Sequence, residues 1–255
     1  MTTDSAATTD HHVELTAEQI GRFEAEGFLR LESLTSEAEV LTLREVYDRL
    51  FEPGAGIDAR DRVELAGERG SAPVLPQILN PDRYAPELLE TAAYRNARQL
   101  AVQLLGPEVQ HMGMHAIRKP PRSGAETPWH QDEAYWEPYL EHRALSVWMP
   151  LQPATLANGC MQFVPGSQDL DVQEHQLINA DSDGLVLRHL DSVGTAVACP
   201  LPPGGATVHA NRTLHYAGPN HTDEPRRALI MAFRCPPTPL SPPREFPWQR
   251  PEWYE

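Results

Sequence analysis

The order of structural signals along these 255 residues predicts an α+β fold, helices first and short strands afterwards. Three observations carry the prediction. Two helix-start signatures, LTAEQIGRF and LTSEAEV, stand near the N-terminus. Residues 86–106 place leucine and alanine at helical spacing. After Gly106 the texture changes to short apolar runs separated by KPPRSG, NG, PGS and PPGG. Strands of that length, punctuated in that way, close into a sandwich or barrel.

Taken in order, the polar residues 1–12 predict a flexible N-terminal segment and leave 13–255 as one domain. In the first helix, Thr16 and Gln19 form a capping box, Leu15 staples to Ile20 across it, and Gly27 supplies a left-handed cap. FLRL (28–31) reads as a short strand. A second capping box, Ser36 with Glu39, opens a helix whose Val40, Leu43, Val46, Tyr47 and Leu50 share one face. A third helix is expected from Pro86 to Gly106. Strands are expected at 109–119, 143–151, 160–167, 195–201, 206–210 and 227–235. The proline-rich tail carries Phe246, Trp248, Trp253 and Tyr254 and reads as an extended arm over the surface.

A formal net charge of -15 argues against a nucleic-acid partner, which demands a basic surface. No basic amphipathic stretch suits a membrane surface, and no apolar run approaches the roughly 20 residues of a span. MTTDSAATTDHHVEL has neither the basic nor the apolar region of a signal peptide. Cys160, Cys199 and Cys235 are too far apart for a CxxC site and read as reduced thiols in a cytoplasmic chain. Lys119 is the one lysine among 21 basic residues.

Histidine two residues before aspartate occurs three times, as HQD at 130, HLD at 189 and HTD at 221. On a strand, side chains two apart point to the same face, so each triplet offers an imidazole and a carboxylate toward one point. A further histidine would complete a facial triad, which leaves three positions of an iron(II) octahedron open. HTD lies in the turn sequence GPNHTDEP and reads as a solvated loop. HLD sits between turn signals without aromatic neighbours. HQD follows the irregular TPW and leads into EAYW, with Trp148 on a strand soon after; this is the setting of a pocket with aromatic walls.

PWHQDEAYW, KPP (119–121), ANGC (157–160), VPGSQ (164–168) and LHYAGPN with its following arginine pair resemble the phytanoyl-CoA dioxygenase family. LTAEQIGRFEAEGFLRLESLTSEAEV is similar to that family's N-terminal segment, so the resemblance spans roughly 13–235. It implies a double-stranded β-helix (jelly-roll) core with the N-terminal helices packed outside it. It also implies iron(II), 2-oxoglutarate as co-substrate, O2, and a small-molecule substrate oxidised with release of succinate and CO2.

The resemblance assigns His130, Asp132 and His215 to the metal, with His215 preferred over His209, which falls six residues too early. It assigns Arg226 to the distal carboxylate of 2-oxoglutarate, a role suited to a planar fork that stays charged when buried. Arg227 would face the other way. Trp148, His115 and Gln77 are expected around the same co-substrate. Ala217 departs from the family's serine and removes one hydroxyl. Lys119 and Arg122 read as a solvated loop, with a substrate carboxylate as the alternative, and Gln131 as support. The presence of Asp132 disfavours halogenation; hydroxylation is the default outcome, and epimerisation, desaturation or ring closure use the same ligands. A cupin-like isomerase or hydrolase independent of 2-oxoglutarate would have no need of Arg226, and a non-catalytic binding module no need of the triad.

Overall fold

The computed structural model describes residues 12–67 and 73–250. The expected N-terminal arm, apart from His12, lies outside the described residues, as do Trp253 and Tyr254. The chain is a mixed α/β structure of mostly antiparallel sheets with few helices.

Helix α1 (Ala17–Glu26) carries the expected reciprocal box between Thr16 and Gln19, and Gly27 caps it at φ 80°. A Cβ at Gly27 would also strike the Gln168 and Thr213 side chains, so both conformation and space require glycine there. Helix α2 (Glu37–Leu50) starts at Ser36, whose hydroxyl accepts from the Glu39 N–H. The Glu39 carboxylate does not complete that box. It accepts instead from the backbone N–H groups of Ala92 (2.7 Å) and Ala93 (2.8 Å), at the start of α3 (Ala92–Leu105). An anion bonded to those free N–H groups also meets the positive end of the helix dipole. The third helix therefore begins at Ala92 with Thr91 as its cap; Pro86 opens only a 3-10 turn, Pro86–Glu90.

The strands are, in chain order, β1 (Phe28–Leu31), β2 (Arg62–Glu64), β3 (Pro76–Leu79), β4 (Gln110–Lys119) and β5 (Thr127–His130). They continue as β6 (Leu140–Glu141), β7 (Ala144–Pro150), β8 (Met161–Phe163), β9 (His175–Leu177) and β10 (Leu185–Leu187). The last are β11 (Val197–Cys199), β12 (Ala206–Ala210), β13 (His215–Ala217), β14 (Arg226–Arg234) and β15 (Thr238–Pro239). A seven-stranded sheet runs β1-β12-β7-β14-β4-β3-β2 and a four-stranded sheet β11-β8-β13-β5.

Alternation on β14 organises the layers. Leu229, Met231 and Phe233 join the α1, α2 and α3 side chains in one buried cluster, so the helices cover the outer face of the large sheet. Each fully buried side chain of this kind contributes about 1.5–3 kcal/mol. Ala228 and Ile230 point the other way and meet Met161, Phe163 and Ala217 of the small sheet. The two sheets thus pack face to face, and the space between them holds the candidate site. Arg226 and Arg227 obey the same alternation: Arg227 turns to α2 and pairs bidentately with Asp48, at 2.6 and 3.0 Å.

Candidate metal centre

His130 and His215 lie 85 positions apart in sequence but are paired residues across the antiparallel β5–β13 ladder. Their rings stand 4.1 Å apart, centroid to centroid. Asp132 is not on a strand. The chain is extended through His130 and Gln131, then turns into the 3-10 segment Asp132–Tyr135. Because Gln131 remains extended, the carboxylate still comes round to the imidazole side. TPW, expected to be irregular, forms β5 with His130.

Asp132 Oδ1 stands 3.5 Å from His215 Nε2 and 3.9 Å from His130 Nε2. One ligand atom from each of the three residues lies within 4.8 Å of the others. Two donors about 2.0–2.2 Å from one ion are at most about 4.4 Å apart, so the two measured separations suit a shared metal. The histidine tautomers suit it too. His130 Nδ1–H donates to the Pro128 carbonyl at 2.7 Å, and His215 Nδ1–H to that of Thr213 at 2.9 Å, which leaves both Nε2 lone pairs free to coordinate. Burial, reinforced by His215, holds His130 down to about 3, so it is neutral at physiological pH. For Asp132, burial alone would raise the carboxyl; His215 and the hydrogen bond from His209 outweigh it and keep the group well below the ordinary carboxylate range.

Asp132 Oδ2 is occupied separately. Ser146 Oγ donates to it at 2.8 Å and His209 Nε2 at 3.2 Å. The carboxylate is thereby set to present Oδ1 alone. His209, set aside on spacing in the sequence, belongs to this centre as the partner of a candidate ligand. Alternation along ATVHA and along LSVW, which puts Ser146 on the same face as Trp148, was the available signal for both residues.

All seven residues expected at the site, His130, Asp132, His215, Arg226, Trp148, His115 and Gln77, border one cavity of about 860 Å³. Arg226 is 1 % exposed, with its guanidinium 5.4 Å above the Trp148 ring. Its Nε and Nη1 are buried without a hydrogen-bond partner among the described residues. Burial pulls its ordinary value down to about 10, and it remains a cation at neutral pH. Unpartnered buried donors on a cation call for an anion in the cavity. Gln77 and His115 meet each other, Nε2 to Nδ1, at 3.3 Å.

Lys119 corrects the expectation of a solvated loop. It ends β4, is fully buried, and its Nζ donates to the carbonyls of Ala217 and Gly218, both at 2.6 Å. The position that lacks the serine hydroxyl is thus anchored through its backbone. Arg122 stays outside, paired with Asp223. The HTD and HLD triplets are away from the cavity, with His221 and His189 exposed. Gln131, fully buried, holds the Arg212 carbonyl (2.8 Å) and the Gln173 N–H (2.7 Å) and does not line the cavity. Tyr135 and Trp136 do line it.

A 2-His-1-carboxylate donor set beside a buried cation, between two antiparallel sheets, is the chemistry of a mononuclear non-haem metal site with an adjoining anion pocket. The family model for phytanoyl-CoA dioxygenase matches residues 23–228, and the chain belongs to that family. Among curated relatives, it is 27% identical to the ectoine dioxygenase of Bordetella parapertussis over 93% of this chain and 81% of that one. It is 28% identical to a probable alpha-ketoglutarate-dependent hypophosphite dioxygenase of Stutzerimonas stutzeri, over 85% of this chain and 78% of that one. Among solved structures, EvdO2 from Micromonospora carbonacea var. aurantiaca, crystallised with 2-oxoglutarate, superposes with a TM-score of 0.82 at 42% identity. That match covers 94% of this chain and 99% of EvdO2.

Proposed function

We propose that this chain is an iron(II)- and 2-oxoglutarate-dependent oxygenase that oxidises an unactivated C–H bond of a small molecule, hydroxylation being the default outcome. In this reading the facing sheets are a double-stranded β-helix and residues 13–255 act as one catalytic domain. His130, Asp132 and His215 hold the iron, and Arg226 binds the distal carboxylate of 2-oxoglutarate. The observation that carries it is the buried Arg226 guanidinium, its Nε and Nη1 unpartnered among the described residues, in the cavity that also contains the His/Asp/His set. A metal site without a carboxylate co-substrate gives no reason to bury that charge.

Bound iron with 2-oxoglutarate and O2 supplies the oxidising power, through decarboxylation to succinate and CO2. The protein's part is positional. The two Nδ1–H bonds to backbone carbonyls keep both imidazoles oriented, each with its Nε2 turned to the site. Ser146 and His209 hold the second oxygen of Asp132. Trp148, Met161 and Ile230 wall the arginine side with apolar surface and exclude water. A volume of about 860 Å³ lies within the range of small-molecule sites and exceeds the needs of one dicarboxylate, leaving space for substrate. Arg60, Arg62, Asp181 and Asp183, also on the lining, make that remaining space polar and charged.

Anaerobic addition of iron(II) and 2-oxoglutarate to the purified chain tests the reading. A visible charge-transfer band is expected, abolished by His215→Ala. Its absence in the wild type, or its persistence in that variant, overturns the assignment.

A further inference from the structure

The turn that carries Asp132 is too short to hold itself. A 3-10 segment of four residues forms few internal bonds, and its last carbonyls have no partner within it. The partners come from the C-terminal segment. Trp248 Nε1 donates to the Ala134 carbonyl at 3.0 Å. Gln249 Nε2 donates to the same carbonyl at 2.9 Å and to that of Trp136 at 2.8 Å. Arg244 Nη1 pairs at 2.7 Å with Glu133, the residue after Asp132, whose fully buried carboxylate also takes Arg212 Nε at 2.7 Å. Trp248 packs against His175 at 5.4 Å between ring centroids, and His175 Nε2 accepts the Gln131 N–H. Beyond the turn, Arg250 donates to the carbonyls of Ala180 (2.8 Å) and Ser182 (3.0 Å) and pairs with Asp183 at 3.2 Å. Asp181 and Asp183 line the same cavity.

We propose that residues 244–250 are a positioning strap for the metal centre: they fix the turn that presents Asp132 and tie it to the 180–183 wall of the cavity. This rests on the reading of His130, Asp132 and His215 as the metal set. The strap touches none of the reacting groups. It acts through the backbone of 132–136, much as the partners of metal ligands act through the ligands themselves.

The test uses the full chain with iron(II) and 2-oxoglutarate as probes. Gln249→Leu removes both amide donors at nearly constant volume. It is expected to weaken iron binding, read from the charge-transfer titration, about tenfold. Amide exchange over 131–136 should quicken in the metal-free protein, and Arg250→Ala should quicken exchange over 179–185. Val46→Ala, in α2 on the far side of the large sheet, is the control: it should lower the unfolding midpoint while iron affinity stays at the wild-type value. An equal loss of iron affinity in Val46→Ala would reduce the strap to general stability and overturn the proposal. A wild-type band with an unchanged Gln249→Leu titration overturns this proposal alone. No band in the wild type overturns the metal reading and the strap's role together.

Discussion

Replacing Arg226 with methionine should move two measurements in opposite directions. Burial lowers the guanidinium from its ordinary 12.5 to about 10. At about 1.4 kcal/mol per tenfold change in proton affinity, that corresponds to roughly 3 kcal/mol against the charged form. The contact with Trp148, 5.4 Å from the ring centroid, offsets about 1–2 kcal/mol of this. Methionine fills much of the same volume without the charge. The metal-free variant should therefore be more stable than wild type by about 1–2 kcal/mol, in line with other replacements of buried charges by apolar side chains. With the co-substrate the sign reverses. Losing one partner of a buried carboxylate–guanidinium pair costs about 2–5 kcal/mol, so 2-oxoglutarate should bind at least roughly 30-fold more weakly. Urea unfolding of the metal-free protein reads the first quantity and an anaerobic charge-transfer titration the second. Undiminished 2-oxoglutarate affinity, or a variant destabilised without co-substrate, would refute the assignment of Arg226 as an anion receptor.

Three further outcomes are expected. Ser146→Ala and His209→Asn each free one contact to Asp132 Oδ2 and should each weaken iron binding about tenfold; metal titrations indistinguishable from wild type would remove these residues from the centre. Lys119→Met leaves the buried carbonyls of Ala217 and Gly218 without their donor and should cost about 2–5 kcal/mol in urea unfolding, whereas a neutral change would place the ammonium outside the stabilising network. Burial holds His175 down to about 4 against an ordinary 6.5, so between those pH values the unfolded chain takes up a proton that the folded chain refuses. Stability present above pH 6.5 is then lost as pH falls towards 4, by about 2 kcal/mol from this group between pH 7 and 5. His175→Gln should flatten that slope in the metal-free protein, and parallel pH profiles for variant and wild type would contradict it.

Much of the site was legible in one dimension because its signals are local. HQD ahead of an aromatic pair and the alternation through Trp148 each depend on residues a few positions apart, whereas His215 and Arg226 were assigned by the resemblance to a family. The helix caps at Thr16 and Gly27 are equally local, since they depend on side chains reaching their own backbone. Where the reading went wrong, a distant partner decided. Glu39 looked like the second half of a capping box, yet a better pair of donors, the first N–H groups of α3, stood 53 and 54 residues away. Lys119 looked like a loop cation because prolines follow it, and burial came from two carbonyls about 100 positions downstream. His209 was passed over as a metal ligand in favour of His215, and the group that could hold a metal is His130, Asp132 and His215. Its place beside Asp132 is set by the register of β12 against β7, where it lies opposite Ser146.

The sequence by itself determined the first two helices and the strands β1, β4, β7, β8, β11, β12 and β14, and which residue types are available for a metal and an anion, whereas β2, β3, β5, β9 and β10 were not foreseen. These follow from backbone preferences and from periods of 3.6 and 2, which need only neighbouring residues. The tertiary structure alone decided that His215 lies opposite His130, that Ser146 and His209 share one oxygen of Asp132, and that Arg226 is buried with no hydrogen-bond partner for Nε or Nη1 among the described residues. Strand register and the meeting of two sheets are settled by packing over the whole domain, through contacts whose loop-closure cost is repaid only collectively.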